Sequence, residues 1–256
     1  MLKDKVAVVT GAGQGIGAAI AEVFCANGVK VVLAEIDEEA GREREAILRG
    51  KDFDAIFIRT DVADENSVKA MVQETVRIYG KIDILVNNAA IGSTKSIFER
   101  TFEEWNKVIQ VNLTGPYLCS KYCAKEMIKN PGGVIINIAS TRAFQSEPDT
   151  EPYSASKGGV VALTHSLAVS LAKYRIRVVC VSPGWIETSL WKKSSLRKDP
   201  QLRAIDHSQH PAGRVGDPMD IANLCLFLVD QEKSGFITGV NFTVDGGMTI
   251  KMIYEE

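Results

Sequence analysis

Apolar residues follow two rhythms along this chain. Short β-branched runs alternate with longer stretches in which apolar positions recur every three or four residues. Val6–Thr10, Val31–Glu35, Ala55–Arg59, Ile82–Val86, Val134–Ile138, Val178–Val181 and Val240–Val244 read as strands. Residues 15–27, Glu38–Arg49 and Ser67–Tyr79 read as helices, the first closed by Asn27-Gly28. Runs that are apolar throughout, rather than at alternate positions, suit strands buried on both faces. Strands separated by helices predict right-handed βαβ units and so a doubly wound α/β fold, with helices on both sides of a mostly parallel, seven-stranded sheet.

Two stretches depart from this alternation. Between Glu187 and Arg214 it lapses, and Trp191, Lys192, Lys193, Arg197, Lys198, Arg203, His207 and His210 gather there, with Trp185 just before. Such a segment at the carboxyl edge of the sheet is expected to be a lid, residues 187–214, that closes on substrate. Its cations suit either a solvated face or the attraction of an anionic substrate or carrier. Ala155–Ala172 is nearly free of charge around its whole circumference, which predicts a helix buried on all sides, by the sheet and by another subunit. No linker or composition break divides the chain, so residues 1–256 are expected to form one domain.

Composition narrows the function classes. With 256 residues, 45% hydrophobic and 24% charged, the chain is an ordinary globular protein with a large core. A net charge of -2 gives no reason to expect a nucleic-acid partner. Cys25, Cys119, Cys123, Cys180 and Cys225 form no Cys-x-x-Cys pair and sit in apolar segments, as core residues in a reducing compartment would. His165, His207 and His210 lack partners at metal-ligand spacing, so no metal is expected. There is no signal-type apolar region at the N-terminus and no run near the ~18 residues of a membrane span, so a cytoplasmic location without membrane attachment is expected.

The candidate chemistry begins at the first strand-to-helix turn, Gly11-Ala-Gly-Gln-Gly-Ile-Gly17. Glycines there let the backbone approach a pyrophosphate, which the helix N-terminus attracts. Glu35 ends the second strand, eighteen residues beyond Gly17. A carboxylate there can accept adenosine ribose hydroxyls and repels a 2′-phosphate, and neither Gln14 nor Ile36 offers a cation for one, so NAD is expected ahead of NADP. Asp61-Val62 and Asn88-Ala89-Ala90 fall at the carboxyl ends of the third and fourth strands, where ligands bind in such sheets. Asp61 also suits a cap for the following helix.

Tyr153 and Lys157 lie four residues apart, so a helix presents phenol and ammonium on one face. Lowering a tyrosine pKa from ~10 by roughly three units takes about 4 kcal/mol, attainable in a partly dry site with Lys157 and a second positive charge nearby. Tyr117 and Lys121 have the same spacing. Context separates the pairs: Tyr153 follows a polar, proline-containing loop, whereas Tyr117 sits mid-helix after Gly115-Pro116.

Thr10-Gly-Ala-Gly-Gln-Gly-Ile-Gly17, Asn87-Asn-Ala-Ala90, Ser140 thirteen residues before Tyr153-Ser-Ala-Ser-Lys157, and Ser182-Pro-Gly184 with Thr188 stand in this order. Together they resemble the short-chain dehydrogenase/reductase family, from about Lys5 to Gly247. The resemblance implies a Rossmann-type fold and a catalytic tetrad of Asn112, Ser140, Tyr153 and Lys157. It implies that Gly11, Gln14, Gly15, Ile16, Gly17, Glu35, Asp61, Val62, Asn88, Ala89, Tyr153, Lys157, Pro183, Gly184, Ile186 and Thr188 hold the dinucleotide. Relatives of this type commonly form homotetramers or homodimers through these helices. Pro116 cannot donate an amide to the carbonyl of Asn112, which in the family holds a water of a proton relay. Ala90 stands where the family has glycine, and its extra methyl is expected to be tolerated.

The expected activity is NAD(H)-dependent interconversion of a secondary alcohol and a ketone. Arg142, Glu147, Asp149 and Glu151 in the loop before Tyr153 favour a sugar or polyol if they face the pocket. A 3-oxoacyl-carrier reductase is the alternative, and a protein that only senses NADH a more distant one.

Overall fold

In the computed structural model, residues 2–130 and 132–252 are described. Met1, Pro131 and residues 253–256 of the expected 1–256 unit lie outside the described residues. The order is β1 (Val6–Thr10), α1 (Gly15–Ala26), β2 (Lys30–Glu35), α2 (Glu38–Arg49), β3 (Ala55–Arg59), α3 (Glu65–Tyr79) and β4 (Ile84–Asn87). Then come α4 (Phe102–Ile109), a π-turn at Gln110–Thr114, α5 (Gly115–Met127), β5 (Val134–Ile138), α6 (Glu151–Leu171) and β6 (Arg177–Pro183). Short α7 (Ala204–Ser208), α8 (Pro218–Val229), α9 (Gln231–Ser234) and β7 (Asn241–Val244) complete it.

The strands form one seven-stranded sheet in the order β3-β2-β1-β4-β5-β6-β7, and every pairing is parallel. This confirms the doubly wound reading and sharpens "mostly parallel" to wholly so. β1, β4, β5 and β6 are buried along their whole length, as their predominantly apolar runs require. One face packs Ile20, Phe24, Ile221 and Leu228 of α1 and α8; the other packs Val68, Met71, Cys119, Cys123 and Met127 of α3 and α5. Each of the Val, Leu, Ile, Phe and Met side chains among these contributes roughly 1.5–3 kcal/mol by leaving water. All five cysteines are free and buried in these layers.

The chain turns from one direction of winding to the other between β1 and β4, which opens a crevice at the carboxyl edge of the sheet. α6 meets the sheet as expected. One side packs on the sheet through Val160, Thr164 and Ala168, but Ala162, His165, Ser166, Val169 and Ser170 are exposed, Val169 at 79%. Low charge around the whole helix marked this uncharged face, which is left exposed among the described residues.

Candidate active site

The glycine turn is built to bring backbone close to a ligand. Gly11 and Gly15 hold φ of 63° and 62°, the left-handed region. A Cβ on Gly17 would lie 2.3 Å from the Gly11 carbonyl oxygen and 2.5 Å from Asn88 Nδ2, so no side chain fits. Gln14 makes no side-chain cap to α1, which leaves its first amides to face an anion. Beside the turn runs a groove of about 620 Å³ lined by Gly11, Gln14, Glu35, Asp61, Val62, Asn88 and Ala89, together with Ile36, Ala90, Ile91 and others. This turn and groove fit the pyrophosphate and adenosine half of a dinucleotide.

Glu35 arrives partly occupied. Its Oε2 accepts from Gly13 N at 3.1 Å, and its Oε1 accepts from Ile36 N at 2.9 Å and Asp37 N at 3.1 Å. Since a carboxylate offers about four acceptor sites, the remaining capacity lies on Oε2. Asn88 Nδ2 donates to the carbonyls of Thr10, at 2.9 Å, and Gly11, at 3.1 Å, tying β4 to the turn. Asp61 Oδ1 accepts from Ala63 N at 2.9 Å; the cap of α3 is Asp64 instead, which accepts from Asn66 N. The expected cap was therefore three residues early, because the chain needs a turn between strand and helix.

Across the groove, Pro183 ends β6 and Gly184 follows, where a Cβ would strike Asp245 at 2.5 Å. Ile186 bridges to Gly216, and Thr188 lies against Gly15, 3.8 Å from where a side chain there would begin.

The tetrad positions converge from three elements. Asn112, 1% exposed, sits in the π-turn. Pro116 has no amide to give to the Asn112 carbonyl, and the helix widens here: Gly115 N donates to Gln110 O, five residues back. The Asn112 side chain clamps Ile91 from both sides, with Oδ1 accepting from Ile91 N and Nδ2 donating to Ile91 O, both at 2.9 Å. Nδ2 also donates to Ser156 Oγ at 3.2 Å, and Ser156 donates to the Tyr153 carbonyl at 2.7 Å. Ser140, just beyond β5, accepts from Arg142 N at 3.1 Å and stands near enough to the Tyr153 phenol to favour its ionised form. Lys157 is 3% exposed; its ammonium donates to the Ile138 carbonyl at 2.8 Å and lies 5.5 Å from the centre of the Tyr153 ring.

Burial dominates the electrostatics of the pair. Burial pushes the Tyr153 phenol above its ordinary pKa, outweighing the Ser140 hydroxyl and the Arg142 charge, which both lower it. Burial also brings Lys157 down to about 8. Burial dominates both groups, and the Lys157 ammonium is directed at the Ile138 carbonyl.

Sequence reasoning passed over several residues. Ser156 links Asn112 to α6 but reads as filler in its motif. Thr10 Oγ1 accepts from Asn88 N at 3.0 Å and Ala89 N at 3.1 Å. Asn87 donates to Asn137 Oδ1 at 2.8 Å and Ser120 Oγ at 3.0 Å, and Asn137 to Thr164 Oγ1 at 2.9 Å, a buried polar line from α5 through β4 and β5 to α6. Uncharged side chains inside apolar strands carry little signal.

Most of the loop charges are paired within the chain. Arg142 pairs with Glu147, Glu151 lies 3.3 Å from Arg100, and Arg100 also donates to the Asp149 carbonyl at 2.7 Å. In the second Tyr-x-x-x-Lys, Lys121 turns to Glu65 at 3.3 Å and Tyr117 is 46% exposed.

Fold and site together define a Rossmann-type oxidoreductase. A family model described as enoyl-(acyl carrier protein) reductase matches residues 11–249. The chain is 76% identical to an uncharacterised oxidoreductase of Thermotoga maritima over 256 residues, 100% of both chains. It is 37% identical to L-fucose dehydrogenase of Oryctolagus cuniculus, covering 95% of this chain and 84% of that protein. The solved structure of an apo SCOR enzyme from Clostridium thermocellum matches with a TM-score of 0.86 at 42% identity, over 99% of this chain and 96% of that one. The chain belongs to the short-chain dehydrogenase/reductase family, and is an enzyme acting on CH-OH groups.

Proposed function

We propose that the chain is an NAD(H)-dependent dehydrogenase that interconverts a secondary alcohol and a ketone, with a sugar, polyol or similar hydroxylated molecule as substrate. The observation that carries this reading is the meeting of Ser140, Tyr153 and Lys157 at the carboxyl ends of β5 and the start of α6. Bound nicotinamide supplies the hydride acceptor in oxidation and the donor in reduction. In oxidation the alcohol O–H bond breaks as its proton passes to the Tyr153 oxygen, while the carbon loses hydride and becomes a carbonyl. Ser140 donates a hydrogen bond to the substrate oxygen and keeps it beside the phenol. Lys157 would bind the nicotinamide ribose of the cofactor and, beside the positive charge of the oxidised ring, would favour the ionised form of Tyr153. Asn112 holds Ile91, and with it one wall of the site, in place.

Glu35 supports NAD over NADP, because a 2′-phosphate would approach a carboxylate already fixed by three amides. A carrier-bound acyl substrate finds less support. Lys193 pairs with Asp37 and Glu39, Arg197 with Glu43, Arg203 with Asp206 and Arg214 with Asp220, so the basic segment is largely neutralised within the chain. The buried free thiols suit a cytoplasmic protein, and the bare face of α6 suits pairing into a homotetramer or homodimer.

Initial rates with both cofactors across sugars, polyols, hydroxy acids and a ketoacyl thioester test this reading. NADH should exceed NADPH in kcat/KM on the order of a hundredfold, and Glu35→Ala should narrow that ratio. A preference for NADPH would overturn the cofactor choice, and turnover confined to the thioester would overturn the substrate class.

A further inference from the structure

Arg100 stands at the foot of α4, where its backbone is fixed. Its amide donates to the Ser96 carbonyl at 3.0 Å. The next residue, Thr101, forms a capping box with Glu104: Thr101 Oγ1 accepts from Glu104 N at 3.2 Å, and Glu104 Oε2 accepts from Thr101 N at 2.9 Å. From that base the side chain reaches inward, only 5% exposed. Nη1 donates to Ser93 Oγ and Nη2 to the Lys95 carbonyl, both in the loop that follows β4. Nη2 also donates to the Asp149 carbonyl at 2.7 Å and lies 3.3 Å from Glu151 Oε2, in the first turn of α6. Asp149 holds φ of 65°, a left-handed conformation that a residue other than glycine keeps when its surroundings impose it.

The same two segments are joined a second time at the other end of α4. Asn112, in the π-turn that follows this helix, clamps Ile91 and donates to Ser156, which donates to the Tyr153 carbonyl. Arg100 and Asn112 therefore bracket α4, and each ties residues 91–95 to residues 149–156, the turn that carries Tyr153. Thr150 makes no side-chain cap to α6, so the placing of its first turn depends on what holds Asp149 and Glu151. The fold itself gains little from Arg100. Its buried Nε has no partner among the described residues, and a nearly dry guanidinium with a single carboxylate at 3.3 Å is poorly compensated for lost solvation.

We propose that Arg100 is a positioning residue for proton transfer by Tyr153, its guanidinium fork holding the first turn of α6 against the loop after β4. The proposal rests on the reading of Tyr153 as the acid/base. Arg100 lines no part of the cofactor groove and acts through Asp149 and Glu151. A planar fork can hold two segments in one geometry, whereas a lysine ammonium is a point charge on a flexible stem.

The test is steady-state turnover of the fastest substrate in a panel of sugars, polyols, hydroxy acids and a ketoacyl thioester, beside an NADH titration of each full-length variant. Arg100→Ala should lower kcat about thirtyfold, with the NADH dissociation constant within about twofold. Arg100→Lys should remain at least about tenfold slow, because it keeps the charge and loses the fork. Guanidinium chloride at about 20 mM should raise kcat of Arg100→Ala at least about fivefold and give the unaltered protein and Arg100→Lys no gain, whereas a merely loosened fold would lose activity in it. Ser93→Ala and Glu151→Gln, at the two ends of the fork, should each lower kcat about threefold and add little to Arg100→Ala; they carry the test should the Arg100 variants fold poorly. A kcat within about twofold of the unaltered protein in Arg100→Ala, or in both end variants, would overturn the assignment, as would a deficit in folded Arg100→Ala that guanidinium does not relieve. Full turnover in Tyr153→Phe would overturn the acid/base reading and the role of Arg100 with it, whereas normal rates in the Arg100 variants alone leave Tyr153 in place.

Discussion

Lys157 is a cation in a nearly dry position, and that has a thermodynamic consequence. Its pKa falls from 10.5 to about 8 on folding. Between those values the unfolded chain binds the proton more strongly, so stability rises with pH across that window, and the full cost is present below pH 8. A shift of this size corresponds to roughly 3 kcal/mol. Lys157→Met should therefore abolish turnover yet stabilise the fold at pH 7 by about 2 kcal/mol, the lost hydrogen bond to Ile138 offsetting part of the gain. Chemical denaturation from pH 7 to 10 reads this out: the advantage should narrow above pH 8, and a constant or reversed difference would contradict it. At this scale the Tyr153–Lys157 pair was legible from helical spacing, and the surrounding motifs separated it from Tyr117–Lys121. The direction of the Tyr153 shift was not, because burial decides it and spacing does not encode burial.

Among elements, the π-turn between α4 and α5 carries most of the consequence. Pro116 removes the amide that would continue a regular helix from Asn112, and the widened turn aims Asn112 at Ile91 and Ser156. Pro116→Ala restores that amide. It should leave Tm unchanged or higher while lowering kcat by about tenfold to a hundredfold, with cofactor affinity little altered. Steady-state rates beside a cofactor titration would check this, and an unchanged kcat would show the turn to be dispensable. The strands were readable to within a residue or two because five-residue apolar runs have few other destinations in a parallel sheet. The exact bounds of β4 and β6 were not, nor was the cap at Asp64, since both depend on where neighbouring strands stop.

At the scale of the whole molecule, α6 exposes an uncharged face with Val169 at 79%, and α5 and α6 leave a hollow of about 300 Å³ where Tyr117, Ile128, Leu167, Leu171 and Tyr174 meet Lys121 and Lys125. A partner subunit on this face predicts that the chain elutes as a multiple of its own mass, and that Val169→Glu shifts it toward the monomer at micromolar concentration. Light scattering coupled to gel filtration decides it; a monomeric unaltered protein would rule out the pairing. The absence of charge in α6 made this face visible in the sequence. The Lys193–Glu39 ion pair was invisible there, because its partners lie 154 residues apart and no periodicity links them.

The central claim is that Tyr153 moves the proton while other groups hold the cofactor. Tyr153→Phe tests it most directly, with turnover on the best alcohol or ketone measured beside the dissociation constant for NADH. The account predicts a loss in kcat of at least about a thousandfold with NADH affinity within a few-fold of the unaltered protein. Substantial turnover in Tyr153→Phe would contradict it.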